Sequence, residues 1–204
     1  MSLNALMKSD QVKSSLSGFL GGAAGGALVS AFTKKKSAKK LLKAGGLVTL
    51  GGVVWSAYQS YQSRSNSSPS HTQIVKQDIA AATAERAPCV SDMALFRAMA
   101  AAAFADGHID QAESDKIWQS AVEHGLEGEA LNRFAMMLKH PRSMAEVLAD
   151  ANDTESKLEV YAASALVIDD ACASGKRYME KLKLALDLPA PLLASVDHRL
   201  KHAD

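Results

Sequence analysis

The stretch MALFRAMAAAAFADGHIDQAESDKIWQSAVEHGLE, residues 93–127, decides the fold class. Phe96, Met99, Ala100 and Ala103 recur at i, i+3, i+4 and i+7, the spacing of one face of an α-helix. An Asp106-Gly107 turn interrupts the pattern, and a second amphipathic run starts near Gln111. The same period returns in Leu131, Phe134, Ala135 and Leu138, in Leu158, Tyr161, Ala162 and Ala165, in Tyr178, Leu182, Ala185 and Leu186, and in Leu192, Val196 and Leu200. No run alternates β-branched and polar residues as a strand would. Seven short helices are predicted near 93–105, 111–124, 127–138, 143–150, 154–168, 174–187 and 190–201, so residues 92–204 read as one all-α bundle with tight connections. Met93, Met99, Met136, Met137 and Met144 are expected to fill its core.

Upstream of the bundle the composition changes. The 204-residue chain is 48% apolar, which excludes a disordered protein, and its net charge of +1 hides a strong asymmetry. Residues 1–65 hold nine Lys/Arg against one acid, whereas residues 66–204 hold 14 against 21. That pattern pairs a basic element suited to an anionic surface with an acidic module, and it argues against a nucleic-acid binder built on the larger part. Nine of the 13 glycines lie between Gly18 and Gly52, in two uncharged 20-residue stretches, Ser14–Thr33 and Ala44–Ser63. As a helix, 20 residues reach about 30 Å, the hydrocarbon thickness of a bilayer. Gly18/Gly22, Gly21/Gly25 and Gly22/Gly26 are GxxxG pairs, which let lipid-embedded helices pack closely or bring copies of the chain together.

Between the stretches, Lys34, Lys35, Lys36, Lys39, Lys40 and Lys43 form a run that cannot enter the bilayer, and Trp55, Tyr58 and Tyr61 close the second stretch like an interfacial aromatic belt. Residues 1–62 are therefore expected to be a glycine-rich membrane anchor, a helical hairpin, or a single pass over 44–61. The Lys-rich loop would be cytoplasmic and the C-terminal domain on the far side, periplasmic in a bacterium. A weakly hydrophobic stretch could instead lie in the interface. A cleaved signal peptide fits poorly, because the glycine-rich segment runs directly into Lys34–Lys36. Residues 63–91, beginning with Ser-rich sequence and carrying Pro69 and Pro88, read as a flexible linker.

Chemistry is sparse. Asp106, Asp110 and Glu113 make a D-G-x-x-D-x-x-E cluster between two helices, with His108 beside it. An EF-hand needs ligands at five or six set positions of a 12-residue loop, and three carboxylates fall short of that. The same residues read as helix punctuation, with Gly107 ending one helix, Asp110 capping the next and Glu113 completing a capping box. Residues 164–190 loosely echo 101–127, so Asp169 and Asp170 could supply further oxygens if the two turns meet in space. His124 and His140 have no partner at metal-binding spacing, and the His198/His202 pair reads as solvent-facing. Cys89 and Cys172 show neither zinc spacing nor a disulfide framework. No nucleotide-binding, hydrolase or zinc-protease motif occurs, and no enzyme activity or resident cofactor is expected.

The pairing of GFLGGAAGGALVSAFTKKKSAKKLLKAGGLVTLGGVVWSAYQSYQ with AAAFADGHIDQAE and YAASALVID resembles the YebE family of bacterial inner-membrane proteins of unknown function. The soluble half is also similar to the wider tellurite-resistance TerB-like superfamily. The resemblance covers about residues 16–62 and 92–200. It implies a TerB-like all-α fold, a membrane anchor, an envelope and stress setting, and acidic turns suspected of binding a divalent cation. By position those ligands would be Asp106, Asp110, Glu113 and Asp169. In the second turn the chain departs from the pattern, with Ala171 and Gly175 where relatives keep acids. The functional expectation is a membrane-anchored binding or regulatory module with a protein partner, and the alternative is a divalent-metal sensor built on the acidic turns.

Overall fold

The computed structural model describes residues 50–63, 89–105, 127–140, 142–168 and 172–202, together with positions 109, 111, 114, 115, 118, 119 and 122. All regular structure among the described residues is helical. Residues 50–63 form α1, followed by α2 (Asp92–Ala105), α3 (Gly128–Lys139), α4 (Met144–Leu148), α5 (Thr154–Val167), α6 (Ala173–Leu186) and α7 (Ala190–Lys201). Between α2 and α3, positions 111, 114, 115, 118, 119 and 122 are also helical, as the predicted 111–124 helix requires.

Two helices form the centre. The predicted stripe on α2 is one-sided, yet the helix is buried on every side: Ala94, Leu95, Phe96, Ala98, Met99 and Ala100–Ala103 are all in the core. α5 is buried in the same way, from Leu158 through Val167 except for the half-buried Ala165. A helix apolar all round can be stable in water only when neighbours cover it, and α2 packs against α3, α4, α5 and α6. Alanine on both central helices lets the backbones approach: the Ser164 hydroxyl of α5 lies 3.5 Å from the Ala98 carbonyl of α2. Phe96 reaches the Phe134 ring of α3 at a centroid separation of 4.7 Å. Four of the five core methionines are buried or packed on the core; Met136 instead points outward from α3 and is 53% exposed.

Capping residues set the ends of several helices. Ser143 and Glu146 form a reciprocal capping box at α4, and Asp153 and Ser156 form another at α5. α6 ends on Asp187 in the left-handed conformation, with φ 50°. Pro191, in the first turn of α7, needs no backbone donor there.

α1 departs from the sequence reading. Its residues belong to the second uncharged stretch, which was expected to lie in a bilayer with Trp55, Tyr58 and Tyr61 at the headgroups. Instead Leu50, Val53, Val54 and Ala57 belong to the same hydrophobic core as α2 and α5, with Tyr58 and Tyr61 packed against it. The Arg199 guanidinium of α7 donates to the Ser60 hydroxyl at 2.6 Å, tying the two helices. Residues 50–54, 56 and 57 are all buried, with aliphatic side chains at 50, 53, 54 and 57, while Gln59, Gln62 and Ser63 are exposed towards the end of the helix. An uncharged segment satisfies a protein core as well as it satisfies lipid. No helix among the described residues is long and apolar enough to cross a membrane. The rest of the expected anchor, residues 1–49, and most of the linker lie outside the described residues.

Candidate functional site

The contacts between α2 and α5 give the direction of the central pair. Near the start of α2, the backbone N–H groups of Cys89 and Val90 donate to Glu159 of α5 at 2.9 and 3.0 Å. Further along, Ala98 meets Ser164. Contacts advance together on both helices, so α2 and α5 run parallel. Their C-termini, Ala105 and Val167, therefore leave the bundle at the same end. The two acidic segments of the sequence follow directly from those two ends.

The residues singled out there, Asp106, Asp110, Glu113 and Asp169, lie outside the described residues, as do Gly107, His108, Asp170 and His124. Ile109 is described, and its side chain packs partly buried on the core. Among the described residues, no three or more His, Cys, Asp or Glu side chains gather as a metal site. His140 is exposed, and the stacked rings of His198 and His202 sit exposed at the end of α7 with centroids 4.4 Å apart. Both cysteines are thiols outside any disulfide; the exposed Cys89 thiol donates to a Glu155 carboxylate oxygen at 3.2 Å.

Polar groups missed by the sequence reading surround the central pair. Glu159 is 2% exposed, and its two carboxylate oxygens accept the N–H groups that precede α2. A buried carboxylate needs such partners to offset its lost hydration. Its sequence signal is an acid between Leu158 and Val160, at a position that faces the central partner once α5 is buried all round. On the other side of α5, the Tyr161 hydroxyl donates to Asp197 at 2.8 Å. Lys183 stands 3.8 Å from the same carboxylate and 5.6 Å from the Tyr161 ring centre. These contacts tie α5, α6 and α7 together.

Tyr178 carries a buried hydroxyl without a hydrogen-bond partner among the described residues, and burial pushes its pKa above the ordinary tyrosine range. The Ser164 hydroxyl offsets this in part, without reaching hydrogen-bonding geometry.

Fold and site together define an all-α helical module built around a parallel, alanine-rich central pair. A family model described as a protein of unknown function, DUF533, matches residues 14–200, and the chain belongs to that family. No curated protein and no solved structure matches the chain.

Proposed function

We propose that the chain is a membrane-anchored, non-enzymatic binding or regulatory module of the bacterial envelope, of the YebE kind with a TerB-like bundle. Its glycine-rich, basic N-terminal region holds the acidic bundle at an anionic lipid surface, where the bundle engages a protein partner. The observation that carries this reading is the extent of the family match. It begins at residue 14, where the first uncharged stretch begins, and runs through the lysine run and α1 to residue 200 in α7. The basic end and the bundle are thus one family unit. The lysine run favours an anionic leaflet electrostatically, with each Lys near the surface adding about 1 kcal/mol. The stress setting rests on the resemblance alone.

Carbonate extraction of the full chain from membranes tests the anchor. The chain is expected in the pellet, and Gly22→Lys, which places a charge in the middle of the first stretch, is expected to move it to the supernatant. Quantitative release of the unsubstituted chain by carbonate overturns the reading.

The parallel direction of α2 and α5 supports a second reading, a divalent-cation site formed by Asp106, Asp110, Glu113 and Asp169. Both acidic segments start from the same end of the central pair, as a composite site needs. Hard cations take six or more oxygens, so backbone carbonyls and water would complete the set. Thermal unfolding of the full chain with Ca²⁺, Mg²⁺, Mn²⁺ and Zn²⁺ tests it. A cation at 100 times its dissociation constant stabilises the folded state by about 2.7 kcal/mol. A midpoint rise that disappears in Asp106→Asn/Asp110→Asn supports the site, and no rise with any of the four sinks it.

A further inference from the structure

We infer that the helical bundle lies on the same side of the membrane as the lysine run, the cytoplasmic side, and not across the bilayer from it. The inference rests on the membrane anchoring proposed above and reverses the periplasmic placement expected from a two-pass hairpin. Leu50 is 0% exposed and belongs to the hydrophobic core that contains α2 and α5. Val54 and Ala57 follow it at 2% and 0%, and Ser60 is held by Arg199 of α7. Residue 50 therefore already lies inside the bundle. Lys43, the last charge of the run, is seven residues earlier in the sequence.

Seven residues span at most about 25 Å fully extended and about 10 Å as a helix. The hydrocarbon core is about 30 Å thick. The chain cannot cross a bilayer between Lys43 and Leu50 while α1 stays in the core. Whatever side holds the lysine run holds the bundle. Six lysines within ten residues, without an acid, mark a cytoplasmic flank, whereas residues 1–13 carry only Lys8 and Lys13 against Asp10. Ser14–Thr33 is then the stretch left to enter the bilayer, with its N-terminal flank outside. An interfacial placement of that stretch gives the bundle the same side.

Cys89 supplies a native probe, being exposed on the bundle, and Cys172→Ser removes the other thiol at the start of α6, where serine suits the N-cap. The full-length Cys172→Ser chain is expressed in a Gram-negative host and treated with a membrane-impermeant maleimide, in intact spheroplasts and after lysis. The expected result is a chain that remains in the carbonate-washed pellet and whose Cys89 reacts only after lysis. Retention in the pellet with Cys89 labelled in intact spheroplasts overturns the inference and leaves the anchor standing. Release of the chain from the pellet overturns the anchor and this inference with it.

Discussion

Gly128 opens α3 at φ +58°, and a Cβ built there meets nothing within 4 Å. Any cost of a side chain is therefore backbone strain alone. Gly128→Ala is expected to destabilise the fold by about 1–2 kcal/mol, the left-handed penalty of an L-residue, read as a lower urea midpoint with unchanged slope. Tyr178 makes the opposite case. Its hydroxyl is buried without a hydrogen bond among the described residues, so Tyr178→Phe removes a desolvated group and is expected to leave stability unchanged or raise it by up to about 1 kcal/mol. Because folding raises the pKa of this phenol, the unfolded chain ionises first. Its contribution is complete below about pH 10 and is lost as pH rises beyond that, so the variant should resist alkaline unfolding better than the parent. An identical alkaline midpoint in both proteins would contradict the burial argument. Glu159 is the costly residue to change. Glu159→Leu removes the acceptor of the Cys89 and Val90 N–H groups and strands the buried one of Val90, and a loss of about 1–3 kcal/mol is expected in denaturant melts.

At the scale of single elements, α5 depends on its first turn. The Asp153 carboxylate accepts the Ser156 backbone N–H at 2.8 Å, and Ser156 returns the bond to the Asp153 N–H at 3.1 Å. The backbone bond from Ser156, and then its hydroxyl, hold the Asp153 carboxyl below the usual carboxylate range. A depressed pKa contributes stability above the unfolded value, and that contribution is lost as pH falls through the folded one. Asp153→Ala is expected to cost about 1 kcal/mol at neutral pH. The difference between variant and parent should shrink below about pH 4; a gap that stays constant down to pH 2 would show that the charge has no part in the cap. Such caps were legible in principle, yet the sequence reading placed its capping box at Asp110 and Glu113, outside the described residues. Helix existence was legible because the apolar period is strong: six of the seven predicted bundle helices match described helices to within two residues at each end. What periodicity could not convey is that α2 and α5 are buried all round, because alanine counts as neither clearly inside nor outside. The direction of the central pair was equally hidden, since it depends on contacts between residues some 70 positions apart.

At the scale of the whole molecule, residues 92–204 read from the sequence as the bundle, and the hydrophobic core also takes in residues of α1. Glycine content and lack of charge describe what a segment avoids, and both lipid and protein core satisfy that. In α1, residues 50–54, 56 and 57 are buried while Gln59, Gln62 and Ser63 are exposed, and this polar end suits a helix packed into a protein core. If α1 is a structural helix, its removal should be felt throughout. Three large aliphatic side chains and Ala57 lose their burial, at about 1.5–3 kcal/mol for each large one, and the α7 contact from Arg199 to Ser60 is lost as well. A loss of about 5 kcal/mol rivals the total stability of an ordinary domain. The measurement compares urea unfolding of residues 44–204 with residues 88–204, followed by near-ultraviolet circular dichroism and dye binding to exposed apolar surface. The longer fragment is expected to unfold in one cooperative transition. The shorter one should keep much of its helical signal while losing fixed aromatic packing and binding the dye, the behaviour of a core opened along one face. Equal midpoints and equal slopes for the two fragments would show that α1 contributes nothing to the core, and the seven-residue limit between Lys43 and the bundle would fall with it.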